Sequence, residues 1–284
     1  MVDKLGLTIL IEDSVAETGS RLIAKHGLSV FAEAKIGKST VQIMMDVGPS
    51  AEALLNNADV LDVNLRKTDV IVLSHGHYDH GEGLINLLGN MDKLVPVVAH
   101  PRIFNPKFSV DPKLRFNGLS FTISDVEKAG GIPLLTKDPL KIAKGVTTTG
   151  ELERITSYEK VRGFWTIDQD RIIKDSMLDD QALIFNLRNK GLVVIAGCAH
   201  AGIVNTLNYA KKLVKTSKVY GVLGGFHLVG ASNERIKVTV KDLLRLNPEF
   251  LGPCHCTGEK ATRRLKEAFG DKCRPLKTGD VLRL

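Results

Sequence analysis

The chain has 284 residues, 43% of them hydrophobic, which is enough for a buried core and for one large domain or two modest ones. No stretch approaches the ~18 uninterrupted apolar residues of a membrane-spanning helix, and Met1-Val2-Asp3-Lys4 does not open a basic-then-apolar leader, so a cytoplasmic location without a membrane partner is expected. Lys and Arg number 39 against 32 acids, a net charge of +7, but the basic residues are dispersed and aromatics are only 5%. That argues against a nucleic-acid partner and leaves either a solubilising surface or attraction of an anionic small molecule.

Along the chain, residues 5–11 read as a first strand, and 27–34 with 40–46 as a hairpin around Lys35-Ile36-Gly37-Lys38. Asp46-Val47-Gly48-Pro49-Ser50 is a turn whose serine can cap a helix running to residue 57. Residues 69–73 form a short apolar strand, 83–89 look helical, and 94–99 form another apolar strand ending at His100-Pro101. Residues 101–180 carry Pro101, Pro106, Pro112, Pro133 and Pro139 and are less regular. They read as an insertion or cap over the site, with short strands at 118–123 and 145–148 and with Trp165, beside Phe164, in a local core beneath it. Regularity then returns. Residues 181–187 and 192–196 predict a hairpin, and 202–215 a helix with Ile203, Leu207, Ala210, Leu213 and Val214 on one face. A strand follows at 218–223, helices at 233–246 and 262–269, and a closing strand at 280–284. Two successive sets of strands followed by helices predict an α+β protein, one domain over 1–284, with two sheets sandwiched between helices and the site at one edge, where strand ends expose loops.

The most informative segment is His75-Gly76-His77-Tyr78-Asp79-His80, which follows the apolar run Asp69-Val70-Ile71-Val72-Leu73-Ser74. A buried strand would deliver this loop to the sheet edge. Two imidazoles at i and i+2, then a carboxylate and a third imidazole, can serve two adjacent cations; imidazole suits zinc, iron, manganese and nickel, and the carboxylate hardens the second position. His200, His227 and His255 share one context: each follows an apolar strand and precedes a glycine or a helix, so each can reach the same edge. His200 and His255 are expected as ligands and His227 as a residue facing substrate. His26 is expected at the surface and His100 in a plain turn. Of the four cysteines, Cys198, Cys254 and Cys256 lie within two residues of a histidine. Cys254 and Cys256 are expected to be buried, inert thiols.

The string His75-Gly76-His77-Tyr78-Asp79-His80 after an apolar strand resembles the HxHxDH signature of the metallo-β-lactamase fold superfamily. The four-layer αββα order of that superfamily matches most of the chain, residues 101–180 least. Thr148-Thr149-Gly150-Glu151, Asp179-Asp180-Gln181-Ala182-Leu183, Gly197-Cys198-Ala199-His200-Ala201-Gly202, Gly224-Gly225-Phe226-His227-Leu228 and His255-Cys256-Thr257-Gly258 are similar to one branch, the 7,8-dihydropterin-6-methyl-4-(β-D-ribofuranosyl)-aminobenzene-5′-phosphate synthase-like proteins. The resemblance implies two divalent metal ions, zinc first, with iron or manganese as the other choices. His75 and His77 would hold one ion; Asp79, His80 and His255 would hold the other. Where the superfamily has Gly-His-Thr and then Gly-Asp, this chain has Thr149-Gly150-Glu151 and Gly197-Cys198. His200 would then replace the missing histidine. Cys198 takes the bridging position, or neither ion has a protein bridge. Glu151 is a proton shuttle, a ligand or a structural cap.

These residues predict a metal-dependent hydrolase acting on a small anionic, phosphate-bearing metabolite, with Asp79 orienting the attacking water and His227 stabilising charge on substrate or leaving group. The alternatives are a transferase joining a dihydropterin diphosphate to an aminobenzene ribosyl phosphate, and a non-catalytic metal-binding or redox module. Oligomeric state is not legible in the sequence.

Overall fold

A computed structural model of the chain describes residues 1–110 and 112–284. Two large sheets lie at its centre. The first has seven strands in the order Val281–Arg283, Lys4–Ile11, Ser29–Ile36, Ser39–Met45, Val70–Val72, Val95–Ala99 and Gly131–Leu135. Its first four strands pair antiparallel and the last four, from Ser39–Met45 onward, pair parallel. The second has six strands in the order Phe250–Cys254, Val219–Gly225, Gly191–Ala196, Ala182–Leu187, Val146–Thr148 and Lys141–Ala143. Its first three strands are parallel and the rest antiparallel.

Period-two alternation decides which residues meet between the sheets. Ile43 and Met45 point into the central core with Val70 and Val72, against Leu183, Phe185, Val193, Ile195 and Leu223 of the second sheet. Their neighbours Met44 and Ile71 point the other way, into a layer with Leu54, Leu84 and Leu87 of the helices Ala51–Val60 and Leu84–Leu88. Ile184, Val194 and Val222 likewise face Leu207, Leu243 and Leu265 on the helices Ile203–Val214, Asn233–Leu246 and Glu259–Phe269. Strands buried on both faces carry no polar alternation, which is why 69–73 and 192–196 read as continuous apolar runs. The result is the expected αββα order.

Most sequence-predicted elements appear within two residues of their expected ends, and Ser50 caps its helix by accepting from the Ala53 amide at 3.3 Å. One segment differs. Residues 118–123 are not a strand: Thr122 accepts from the Asp125 amide, Asp125 returns a bond to the Thr122 amide, and this capping box starts the helix Ile123–Lys128. Local capping outweighs the β-prone Phe121 and Ile123.

Within 101–180, Gly131–Leu135 joins the first sheet, and Lys141–Ala143 with Val146–Thr148 joins the second. A third, four-stranded sheet of Arg171–Lys174, Phe164–Asp168, Lys107–Ser109 and Arg115–Phe116 brings Phe164 over the loop of residues 75–80. No helix of the described residues is long and apolar enough to cross a membrane.

Phe185 is fully buried between the two sheets. Phe185→Ala is expected to lower stability by about 3–5 kcal/mol through the cavity it leaves, read as a shift in the urea unfolding midpoint with an unchanged slope.

Candidate metal centre

Leu73 follows the strand Val70–Val72, and the next four residues turn across the sheet edge into the short helix Tyr78–Gly81. Gly76 is needed there because its backbone runs hard against the next segment: a Cβ would sit 2.1 Å from the Ile103 carbonyl oxygen and 2.8 Å from Lys107 Cε. The Gly76 amide donates to Asp179 at 2.8 Å, and the other Asp179 oxygen accepts from Lys107 Nζ at 2.9 Å. Lys107 is almost completely buried and also reaches Asp175 at 3.1 Å, so its charge is neutralised by two carboxylates while it braces the loop.

Three further strand ends converge on this loop. Gly191–Ala196 delivers Cys198 and His200, Val219–Gly225 delivers His227, and Phe250–Cys254 delivers His255 and Cys256. His75 Nε2 lies 3.0 Å from His77 Nδ1 and 3.3 Å from His200 Nε2. Beside this trio, His80 Nε2 lies 3.3 Å from His255 Nε2 and 3.1 Å from Cys198 Sγ, and Asp79 Oδ2 lies 3.2 Å from His255 Nε2 and 3.7 Å from His80 Nε2. The Cys198 sulfur belongs to both groups: it falls within 4.8 Å of His75 and His80, and also of His200 and His227.

The structure thus brings together His75, His77, Asp79, His80, His200, His255 and Cys198, with His227 against His200 at a ring separation of 4.2 Å. Glu151 stands apart, its carboxylate 3.4 Å from His100 Nε2. His100 is buried and caps a 3₁₀ turn by accepting from the Arg102 amide. His26 is exposed, as expected, yet its ring lies 4.7 Å from His255 and both histidines hold Asp13. Cys256 is buried but not remote, since its sulfur falls within 4.8 Å of Cys198 and His255. Trp165 is only half-buried, in the third sheet.

Carboxylates and hydroxyls fix the ring nitrogens that face away from the cluster. Asp46 is wholly buried and accepts from the Ser74 amide at 2.6 Å, from Ser74 Oγ at 2.7 Å and from His80 Nδ1 at 2.6 Å. With its proton given to Asp46, the Ser74 oxygen accepts from His75 Nδ1 at 2.8 Å. His75 and His80 therefore present Nε2 lone pairs inward. Asp13 does the same for His255 Nδ1 at 2.7 Å, and Glu12 accepts from the His255 amide at 2.7 Å. Asp46, Ala199, His227 and His255 all have left-handed backbones, with φ between 45° and 58°. Non-glycine strain of this kind persists only where surrounding bonds over-determine it.

This donor set fits a divalent cation. Nitrogens about 2.0–2.1 Å from one tetrahedral ion lie roughly 3.3 Å from each other, close to the 3.0–3.3 Å separations here. The single lone pair of His75 Nε2 faces two imidazoles and cannot satisfy both. His77 Nε2, His200 Nδ1 and His227 Nδ1 are buried without a partner. Burial pushes His75 and His200 well below the usual imidazole range and His77 down to about 3, with repulsion between the clustered rings adding to it, so the trio is neutral. Burial also pulls on His80 and His255, but the carboxylates Asp46 and Asp79 around His80, and Asp13 and Asp79 around His255, outweigh it and raise both. That half of the cluster favours positive charge, and a bound cation would supply it. Burial pushes the Cys198 thiol up, and a bound cation would take its proton.

Asp46, Asp13 and Lys107 were not singled out from sequence as site residues, and Asp179 entered only within a motif string. Asp46 and Asp13 did carry a signal: Asp46 directly follows the strand Ser39–Met45, and Asp13 lies two residues beyond the strand Lys4–Ile11, the strand-end context in which His255 also stands.

The αββα sandwich and the histidine-rich cluster at its edge define a protein of the metallo-β-lactamase fold. The backbone superposes on a metal-dependent hydrolase of the β-lactamase superfamily with a TM-score of 0.81 and 28% identity over 98% of each chain. It is also similar in fold to Zn(2+)-bound PqqB from Methylobacterium extorquens, with a TM-score of 0.55 and 11% identity over 98% of this chain and 100% of that one. In sequence it is 35% identical over 288 residues, 99% of this chain and 97% of the relative, to the 7,8-dihydropterin-6-methyl-4-(β-D-ribofuranosyl)-aminobenzene-5′-phosphate synthase of Methanocaldococcus jannaschii. An uncharacterised protein of the same archaeon is 33% identical over 92% of this chain and 94% of its own length. The chain belongs to the family of that synthase. No family model matches it.

Asp46→Asn keeps the side-chain volume and tolerates the left-handed backbone but removes the charge behind His80. It is expected to weaken metal retention about 10–100-fold in chelator competition, with the circular dichroism spectrum unchanged.

Proposed function

We propose that this chain is a metal-dependent transferase that couples a dihydropterin diphosphate to an aminobenzene ribosyl phosphate. It would hold two divalent ions, zinc first, with iron or manganese as the alternatives. His75, His77 and His200 would hold one, and Asp79, His80 and His255 the other, with Cys198 between them. The observation that carries the reading is that the cluster opens into two chambers. One, about 290 Å³, is the mouth itself, lined by Asp13, His26, Asp79, Arg115, Phe164 and His255 among others. The other is about 840 Å³, and the two share His200, His227 and Val229 as a common wall. A hydrolase needs room for one substrate and water, whereas a coupling enzyme must hold two organic molecules side by side. The 35%-identical synthase supports the same reading.

When bound, divalent cations supply Lewis-acid stabilisation of phosphoryl oxygens and, in favourable sites, a hydroxide at neutral pH. The chain's own residues do the positioning. Phe164 lies 4.9 Å from the His77 ring and 5.0 Å from His200 and covers the cluster, excluding water. His227, half-buried where the chambers meet, would hydrogen-bond the departing oxygen. Asp79 orients rather than abstracts, because its carboxylate is engaged by His80 and His255. In the coupling, an arylamine nitrogen–carbon bond forms, the carbon–oxygen bond to diphosphate breaks, pyrophosphate leaves, and one amine proton passes to solvent.

Hydrolysis of a phosphate-bearing metabolite is the second reading, favoured by the β-lactamase-superfamily hydrolase that shares 98% of the fold. One experiment separates them. Incubated with both substrates, the metal-loaded protein is expected to yield coupled product and pyrophosphate in equal amounts on chromatography. Pyrophosphate or phosphate release without coupled product would sink the transferase reading in favour of hydrolysis. In elemental analysis, His80→Ala and His200→Ala are each expected to lose about one metal equivalent.

A further inference from the structure

The larger chamber has a chemical character that the donor cluster does not explain. Besides His200 and His227, its lining carries Lys160, Arg162 and Arg235, with Ser157 and Ser232, against the single carboxylate Glu234. No ion pair engages any of the three cations among the described residues. The nearest buried acid, Glu159, is already committed: it accepts from the Val204 and Asn205 amides at 3.0 and 2.8 Å and from Thr156 Oγ1 at 3.0 Å.

Arg235 is held ready rather than left mobile. One terminal nitrogen donates to the Tyr158 carbonyl at 2.6 Å, and the guanidinium lies 5.8 Å from the centre of the Tyr158 ring, which is itself fixed by a 2.7 Å bond from its hydroxyl to Asp242. Its Nε is buried and has no partner. A half-buried, pre-oriented guanidinium with an unsatisfied donor recognises an oxyanion in a fork geometry that lysine cannot reproduce. Arg162 and Lys160 line the same chamber, enough positive charge for a dianion. His200 and His227 line the same chamber, so a molecule filling it can place its anionic end at the arginines and its other end toward the donor cluster.

We propose that this chamber is a phosphomonoester subsite: Arg235, Arg162 and Lys160 hold a phosphate that stays on the substrate, while the reacting end of the same molecule lies against His227. The inference rests on the reading of a phosphate-bearing substrate, and it assigns that substrate to the larger chamber. The partner that loses its leaving group is then assigned to the smaller mouth over Asp79 and His255.

The test is calorimetric titration of the metal-loaded protein with ribose 5-phosphate and with ribose. Ribose 5-phosphate is expected to bind and ribose not. Arg235→Gln and Arg162→Gln are each expected to weaken ribose 5-phosphate about tenfold or more, the loss of a charge-assisted hydrogen bond, with metal content unchanged. Arg162 is exposed in a loop, so its variant keeps the test valid if Arg235→Gln folds poorly. Binding is expected to survive removal of the metal by a chelator. Equal behaviour of the two sugars, undiminished binding in both folded variants, or loss of binding on chelation would each overturn the proposal, the last by placing the phosphate on the cations. Arginine-dependent binding without coupled product would sink the transferase reading and leave the subsite standing; coupled product without arginine-dependent binding would do the reverse.

Discussion

Imidazole nitrogens from distant parts of the chain point at one another at 3.0–3.3 Å inside a buried pocket, and their lone pairs outnumber the protons able to satisfy them. Left without a cation, that arrangement is costly, because unpaired polar atoms in a low-dielectric site lose their hydration and gain nothing in return. The surrounding structure holds it in place. Asp46 locks His80 and, through Ser74, His75; Asp13 locks His255; Asp179 and Lys107 brace the turn between His75 and His77. Each is an orienting group behind a donor, and together they fix which nitrogen faces inward.

The two-sheet frame makes such bracing possible. Strands from both sheets end at one edge, so loops following residues 72, 196, 225 and 254 meet without long connections. Close approach sets the residue choice there. Gly76 passes within contact of the Ile103 carbonyl, and a Cβ on Gly197 would lie 2.0 Å from Ser74 Oγ, inside the bond that carries the Asp46 proton network. Small residues at these points let the donors converge, while the apolar faces behind them, Val70 and Val72 against Ile195 and Leu223, keep the edge rigid.

The surface follows a different logic. The net charge of +7 is spread widely over the chain, yet three cations line the chamber that adjoins the cluster. Composition alone favoured simple solubility over attraction of an anion. Their location adds what composition lacks, since solubility alone does not require charge to line a cavity beside the donor cluster.

Much of the architecture was legible from short-range patterns. Apolar runs gave the strands, the Ile203–Val214 face gave its helix, and histidines placed just after strands pointed to one edge, because strand direction and side-chain period are local properties. The segment 118–123 misled because a capping box competes with β-propensity over the same few residues. The chain itself thus determined the donor types, the strand ends that carry them and the layer order. Only the tertiary structure decided that Asp46 and Asp13 stand behind those donors, that Glu151 faces His100 instead, and that Arg235 and His227 line one cavity. The histidine–carboxylate pairings join residues 34 to 242 positions apart, and no local pattern encodes a contact whose existence depends on how two sheets are packed.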